Sequence, residues 1–250
     1  MAPSLRKGSV AMDTVKINKG TVRLIAHRGV SGLELENTCA AFVAAGNRSY
    51  FGIETDVHVT ADGNYIIIHD DTTGRVAEAD LPVEETDFDV LRAMYLKCKD
   101  GSTRRDLVMP SLEEYLTICK HYEKEAVLEL KRPMQRKDVF GIVEACRRIY
   151  GLEHMTFISF DFQNLKYVKE TAPEARAQFL LAEVVTEEHI RDMAENGISL
   201  DVLHWRLSRE LVDRLHALGL VVNCWTVDDV ARAEALIAMG VDQITTNILE

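Results

Sequence analysis

Short runs of apolar, β-branched residues alternate along this chain with longer stretches in which apolar positions recur every three or four residues, from Thr21 to the end. The first pattern predicts strands over residues 22–26, 51–57, 126–130, 156–159, 177–181, 198–203, 220–225 and 241–245. The second predicts helices over 38–45, 111–122, 138–150, 162–171, 187–195, 209–218 and 228–239. Ser208 and Thr226 stand at or beside expected N-caps, and Gly197, Gly219 and Gly240 follow their helices as C-terminal glycines should. Eight strands separated by helices predict an α/β fold, a (β/α)₈ TIM barrel. A doubly wound open sheet competes, but no G-x-G-x-x-G turn follows the first strand. Residues 71–109 break the rhythm, with Pro82, Glu84 and Glu85, a short helical segment over 88–96 and a charged loop over 97–106. They read as an insertion after the second strand region, either a lid or binding loop or a passive surface excursion.

Composition narrows the class. A chain of 250 residues, 47% of them hydrophobic, can build one large core, so residues 21–250 are expected as a single barrel domain after an N-terminal tail over 1–20. Lys+Arg number 29 against 40 Asp+Glu, a net charge of −11, which argues against a nucleic-acid or polybasic membrane surface. Five scattered cysteines, with neither a CxxC pair nor a zinc spacing, fit reduced thiols in the cytoplasm. No apolar run approaches the roughly 18 residues of a membrane span, so no stable membrane insertion is expected. Arg6 and Lys7 precede no apolar segment, so the tail does not read as a signal peptide.

Candidate chemistry begins in Phe51-Gly-Ile-Glu-Thr-Asp-Val57, where Glu54 and Asp56 share one face of a strand. Ile53, Thr55 and Val57 form the opposite face and would pack on helices, which turns the carboxylates toward the barrel axis. Two such charges, about 6.6 Å apart along the strand, repel by about 2.5 kcal/mol unless solvated or matched. On the next barrel strand Glu129 and Lys131 repeat the device. Three carboxylates make an oxygen site suited to one hard divalent cation, Mg²⁺ or Ca²⁺. Lys131 then either holds an anionic substrate group or forms a salt bridge with an acid.

Asp62-Gly63 is a hairpin turn signal that folds residues 65–68 back on 57–60 and brings His69 opposite Asp56, or opposite Glu54 if the loop has four residues. His27, Arg28 and Gly29 end the first strand at the barrel mouth, where Arg28 can contact phosphate in a bidentate way. Two histidines, a cation site and two basic residues at one rim describe metal-assisted phosphoryl chemistry. Phe160 and His204, at strand ends, either line the pocket or simply pack.

These residues resemble the glycerophosphodiester phosphodiesterase family. The resemblance rests on His27-Arg28-Gly29, Glu36-Asn37-Thr38, Glu54-x-Asp56, Thr60-Ala-Asp-Gly63, His69-Asp70, Met109-Pro-Ser-Leu-Glu-Glu114, Leu128-Glu-Leu-Lys131, Ser159-Phe160 and Cys224-Trp-Thr226, in order over about nine-tenths of the chain. It implies hydrolysis of a small-molecule glycerophosphodiester to glycerol 3-phosphate and an alcohol, and no oligomeric state. By that similarity Glu54, Asp56 and Glu129 match the metal ligands, and His27 and His69 the general base and acid. Arg28 and Lys131 match the phosphate contacts, and Trp225 the aromatic residue on the glycerol side. The chain departs from the family pattern at Thr246-Asn247, where an aspartate followed by proline is usual. A related barrel phospholipase acting on lipid phosphodiesters, and a non-catalytic barrel that binds a phosphodiester, are the alternative readings.

Overall fold

The computed structural model describes residues 13–98 and 101–250. Among these, the strands are β1 (Arg23–Ala26), β2 (Gly52–Val59), β3 (Tyr65–Ile67), β4 (Tyr95–Lys97), β5 (Thr103–Val108), β6 (Glu125–Leu130), β7 (Met155–Ser159), β8 (Arg176–Leu181), β9 (Ser199–Leu203), β10 (Val222–Trp225) and β11 (Gln243–Thr246). The helices are α1 (Cys39–Gly46), α2 (Phe88–Arg92), α3 (Leu112–His121), α4 (Arg136–Ile149), α5 (Phe162–Thr171), α6 (Glu187–Asn196), α7 (Arg209–Ala217) and α8 (Val230–Met239). Strands β1, β2 and β6 to β11 pair in parallel, and β1 meets both β11 and β2, so the sheet closes on itself as the expected eight-stranded barrel.

Strand alternation decides which side chains meet. Ile53 and Val57, Leu128 and Leu130, and Leu200 and Val202 face outward into one large core against the helices. The inward set includes a smaller cluster of Ile25, Val127, Ile158 and Leu180, with Trp225 packed against it. Below these the barrel floor is polar: Gln178 donates to Gln243 Oε1 at 2.8 Å and accepts from Asn223 at 3.2 Å. Each fully buried Leu or Ile contributes about 1.5–3 kcal/mol, so the outer layer holds the fold and leaves the inner mouth layer free for polar chemistry.

The ends of the helices follow local chemistry. Ser208 caps α7 by accepting from the Leu211 N–H, and Gly197 and Gly240 end α6 and α8 in left-handed conformations. Gly219 lies one residue beyond the cap of α7. Thr226 does not cap α8. Asp229 does, accepting from the Arg232 N–H, so the helix starts at Val230 and residues 226–229 remain a loop at the mouth.

The hairpin forms with a different register from either expectation. Val57 pairs with Ile67 and Val59 with Tyr65, so the loop spans Ala61, Asp62 and Gly63. Gly63 sits at φ +80, the left-handed position that a three-residue loop requires. That register would bring His69 level with Thr55, but β3 ends at Ile67, and the chain turns His69 into the mouth instead.

The stretch expected as an insertion has its own apolar cluster, in which Val83, Leu91, Leu96 and Leu107 pack with Ile66 and Ile68 of the hairpin. Its helix stops at Arg92, and of the charged loop expected over 97–106, residues 103–106 belong to strand β5, paired antiparallel with β4, while 99 and 100 lie outside the described residues. Of the N-terminal stretch, residues 1–12 lie outside the described residues. From Thr14 the chain runs beside the C-terminal residues, with Val15 bridged to Leu249 and the Ile17 N–H donating to the Glu250 carbonyl at 2.8 Å.

Candidate active site

Parallel register places Asp56 of β2 beside Glu129 of β6, and Glu54 lies one inward position below Asp56. An oxygen from each of the three buried carboxylates lies within 4.8 Å of the others. Asn37, held at φ +53, donates to Asp56 Oδ2 at 2.7 Å and accepts from Thr55 at 2.7 Å. Arg28 is also in a left-handed conformation, and its backbone N–H donates to Glu54 Oε2 at 2.8 Å. Strained backbone at both residues is thus tied directly to the cluster. Gly29 follows at φ +74, where a Cβ would lie 2.6 Å from the Ala41 carbonyl carbon, so only glycine fits.

Charge in the cluster is unevenly matched. Burial, and then the neighbouring Asp56, push Glu54 well above the usual carboxylate range; burial and Asp56 likewise raise Glu129. Burial would raise Asp56 too, but Lys131 and then Arg28 outweigh it and hold that group low. Lys131 Nζ lies 2.8 Å from Glu129 and 3.5 Å from Asp56 Oδ1, while Arg28 Nε lies 3.5 Å from Asp56 Oδ2. Asp56 Oδ1 is buried without a hydrogen bond. An all-oxygen set with an orphaned carboxylate oxygen and two acids driven toward protonation fits a hard divalent cation.

The two histidines have unlike supports. His27 Nδ1 lies 2.8 Å from the side-chain oxygen of Asn247, a neutral amide. His69 Nδ1 lies 2.6 Å from a carboxylate, Asp70. Arg75 donates to Asp70 at 2.5 Å and to Glu36 at 2.7 Å, and Arg28 donates to Glu36 at 2.9 Å. One ion-pair chain therefore joins the phosphate-contact candidate to the backing of His69. The hydrogen bond from Arg75 holds the Asp70 carboxyl down at about 2. Burial, then the Arg28 charge, lower His27.

A cavity of about 120 Å³ at the mouth brings together His27, Arg28, His69, Glu54, Glu129 and Trp225. Phe160 lines it as well, edge-on to Trp225 with centroids 5.7 Å apart. His204 does not reach it: Arg232 donates to His204 Nδ1 at 2.9 Å, outside the cavity wall. A larger cleft of about 560 Å³ lined by Cys39, Phe88, Arg92, Glu113 and Glu114 lies outside the barrel and, among the described residues, brings together neither a histidine nor a carboxylate cluster, so chemistry rather than size picks the mouth.

Sequence reasoning passed over three residues at the mouth, two on strands and one in a loop. Asp201 of β9 lines the same cavity, 1% exposed, with Oδ1 unpartnered; burial and the charge of Glu129 push it well above the usual range. Its signal was an acid between Leu200 and Val202 on a strand. His58, in line with Glu54 and Asp56, is fully buried with Nδ1 3.3 Å from Glu84 and Nε2 3.5 Å from the His69 carbonyl. Asp228 accepts from the Asn247 side-chain amide at 2.6 Å.

The glycerophosphoryl diester phosphodiesterase family model matches residues 27–250. The chain belongs to that family. It is 29% identical over 231 residues to a glycerophosphodiester phosphodiesterase of Caldanaerobacter subterraneus subsp. tengcongensis, covering 90% of this chain and 93% of the relative. A glycerophosphodiester phosphodiesterase structure from Parabacteroides distasonis superposes with a TM-score of 0.76 at 27% identity, covering 91% of this chain and 93% of that one. An Oleispira antarctica phosphodiesterase in complex with its product sn-glycerol-3-phosphate shares the fold, with a TM-score of 0.81 at 23% identity and coverage of 90% and 92%. Membership makes the chain a phosphodiesterase-family enzyme on a TIM barrel, with its family motifs converging at the C-terminal mouth.

Proposed function

We propose that this enzyme hydrolyses small glycerophosphodiesters to glycerol 3-phosphate and an alcohol, in the cytoplasm, by general acid and base catalysis from His27 and His69. The observation that carries the reading is the meeting of both histidines with Arg28, Glu54 and Glu129 in one cavity, with Asp56 beside the two glutamates in the same carboxylate cluster. Glu54, Asp56 and Glu129 would hold one divalent cation, Mg²⁺ or Ca²⁺, which when bound supplies charge stabilisation at the phosphodiester oxygens.

The chain's own groups do the rest. Arg28, kept charged by Asp56, Glu54 and Glu36, offers a guanidinium to the phosphate, and Lys131 adds a second positive charge. Both stabilise negative charge that develops on the phosphoryl oxygens in the transition state. His27 accepts the proton of the attacking hydroxyl, from water or from the substrate's glycerol, and His69 gives one to the departing alcohol. The supports favour that division. Burial and the Arg28 charge keep His27 neutral, with an amide rather than a charge behind it, whereas His69 is oriented by the Asp70 carboxylate at its Nδ1. Trp225 and Phe160 form an apolar wall that orients the glycerol end and restricts water. Release of glycerol 3-phosphate from glycerophosphocholine, measured with chelator and after metal add-back, tests the reading; loss of activity that no divalent ion restores would sink the cation assignment.

One observation favours a second reading, a lipid phosphodiester substrate. Phe160, Val184 and Trp205, which follow β7, β8 and β9, are 50%, 64% and 69% exposed at the same end of the barrel. Among the described residues no helix is long and apolar enough to cross a membrane. Flotation with phosphatidylcholine vesicles separates the two: the small-substrate reading expects the protein to stay in the unbound fraction.

A further inference from the structure

Behind His27 lies a chain of groups that the family's acid, base and ligand set does not include. Asn247 Nδ2 donates to Asp228 Oδ2 at 2.6 Å, and the Asn247 backbone N–H donates to Asp228 Oδ1 at 2.8 Å. Thr246 Oγ1 donates to the same Oδ1 at 3.1 Å. The other end of the Asn247 amide, Oδ1, faces His27 Nδ1 at 2.8 Å and accepts from the Ser31 hydroxyl at 2.6 Å.

The donor and acceptor rules leave one arrangement. An ionised carboxylate only accepts, so Asp228 requires the NH₂ end of Asn247 and fixes the direction of the amide. The carbonyl end must then face His27, and a carbonyl oxygen also only accepts, so His27 Nδ1 carries the hydrogen. Neutral imidazole has one N–H, which leaves Nε2 bare as the acceptor. A flipped amide would set Asn247 Oδ1 against the Asp228 carboxylate and its NH₂ against the Ser31 hydroxyl and His27.

We propose that Asp228 is a positioning residue for the reaction: through Asn247 it locks His27 in the Nδ1–H tautomer and so keeps Nε2 available to take the proton from the nucleophile. Asp228 does not line the cavity that holds both histidines and acts on it through Asn247. The proposal deepens the assignment of His27 as base and rests on it for its catalytic consequence, while the tautomer itself stands independently. It also accounts for the amide at position 247: with Asp228 behind it, an asparagine gives His27 the same directional acceptor a carboxylate would give, without a second negative charge 2.6 Å from Asp228. The loop at 226–229 is free to supply Asp228 because α8 is capped one residue later, at Asp229.

Asp228→Asn is the discriminating variant. Its Oδ1 still accepts from the Thr246 hydroxyl and the Asn247 backbone N–H, so the loop keeps its anchors. Its new NH₂ replaces Oδ2, which forces the Asn247 amide to turn and present its own NH₂ to His27. The relay is inverted, Nδ1 becomes the acceptor and Nε2 takes the hydrogen. We expect kcat to fall on the order of 10²-fold or more, as for a base held in the wrong tautomer, with KM within about twofold and the melting temperature nearly unchanged. Asn247→Asp alone sets two carboxylates face to face and loses activity and stability. The double variant Asp228→Asn/Asn247→Asp restores an acceptor facing Nδ1 and a donor behind it, and recovers kcat to within about tenfold of the parent. A purely structural role for Asp228 would show no such rescue by exchange.

The readout that needs no substrate is the ¹⁵N spectrum of imidazole-labelled protein, with the His27 signal assigned by its absence in His27→Gln. The expected result is an Nδ1–H signature in the parent, an Nε2–H signature in Asp228→Asn and return to Nδ1–H in the exchange variant. Retention of Nδ1–H in Asp228→Asn overturns the proposal whatever happens to turnover, as does a loss of kcat in Asp228→Asn that the exchange leaves unrepaired. If the parent releases no glycerol 3-phosphate from any glycerophosphodiester, the functional reading falls and the spectrum alone decides the relay.

Discussion

Asp56 and Glu129 stand level in the parallel pairing of β2 with β6, both turned inward and both within reach of the same Lys131 ammonium, 3.5 Å from one and 2.8 Å from the other. Three buried acids facing two cations, Lys131 and an Arg28 that is also paired with Glu36, have too little positive charge to keep all three ionised. The cluster's own contribution to the pH dependence of stability follows from that shortage.

Glu54 and Glu129 have folded-state values raised above those of the unfolded chain, Glu129 to about 8. The folded protein therefore holds protons that the unfolded chain has released, and stability falls as pH rises from the unfolded carboxylate range through the folded values. Asp56 has the opposite sign, because its depressed value contributes stability that is lost only as pH falls below the ordinary carboxylate range. Between pH 5 and pH 8 the two glutamates are opposed by His27 and His58, whose buried rings are held below the ordinary imidazole value and favour the folded state as pH rises. The glutamate contribution is isolated by Glu129→Gln: with chelator present, the melting temperature of the variant relative to the parent should be higher at pH 8 than at pH 5, and Mg²⁺ or Ca²⁺ should narrow that difference, in scanning calorimetry at both pH values.

Asp201 carries the same sign, pushed up by burial and then by the Glu129 charge, with no partner for Oδ1. Asp201→Asn keeps the shape and removes the titration. The variant should match the parent near pH 4 and exceed it increasingly as pH rises, by about 2–4 °C at pH 8 for each kcal/mol of relief. Parallel melting curves of the two proteins across pH check it; a gap that does not widen with pH would place the Asp201 proton elsewhere.

Gly29 is the tightest backbone approach at the mouth. Gly29→Ala forces a Cβ into the Ala41 carbonyl at φ +74, so stability should drop by about 2 kcal/mol or more, about 4–8 °C in melting temperature. Gly63→Ala has the same sign of φ and open space around it, and should cost less than Gly29→Ala. Urea titrations of both variants compare backbone strain with and without the clash.

Much of this was legible in the sequence, because strand alternation is a local property. The inward face of Glu54 and Asp56 and the repeat at Glu129 and Lys131 follow from counting by two along strands whose outer faces are apolar; His27 was legible as the end of the first strand, and Trp225 through the family resemblance. The register of the hairpin was not, since Asp62-Gly63 serves a two-residue or a three-residue loop equally and only Gly63 at φ +80 decides. Strand β5 was hidden under Thr103-Arg-Arg-Asp106, where exposure on both sides removes the apolar alternation. Asp228 was invisible as a partner because its contact with Asn247 is made across two loops that only barrel closure brings together.

His27→Ala and His69→Ala should each reduce kcat/KM for glycerophosphocholine by on the order of 10²- to 10⁴-fold, the usual contribution of a positioned acid or base. Circular dichroism should show both variants folded, since both side chains border the cavity rather than the outer core.

The most direct measurement is coupled release of glycerol 3-phosphate from glycerophosphocholine by the parent, the two histidine variants and Glu129→Gln, each with chelator and with Mg²⁺ or Ca²⁺ restored. The account predicts cation-dependent turnover by the parent, deep loss in both histidine variants at saturating cation, and a higher cation requirement in Glu129→Gln. Turnover within threefold of the parent in both histidine variants, or equal turnover with and without chelator, would contradict it.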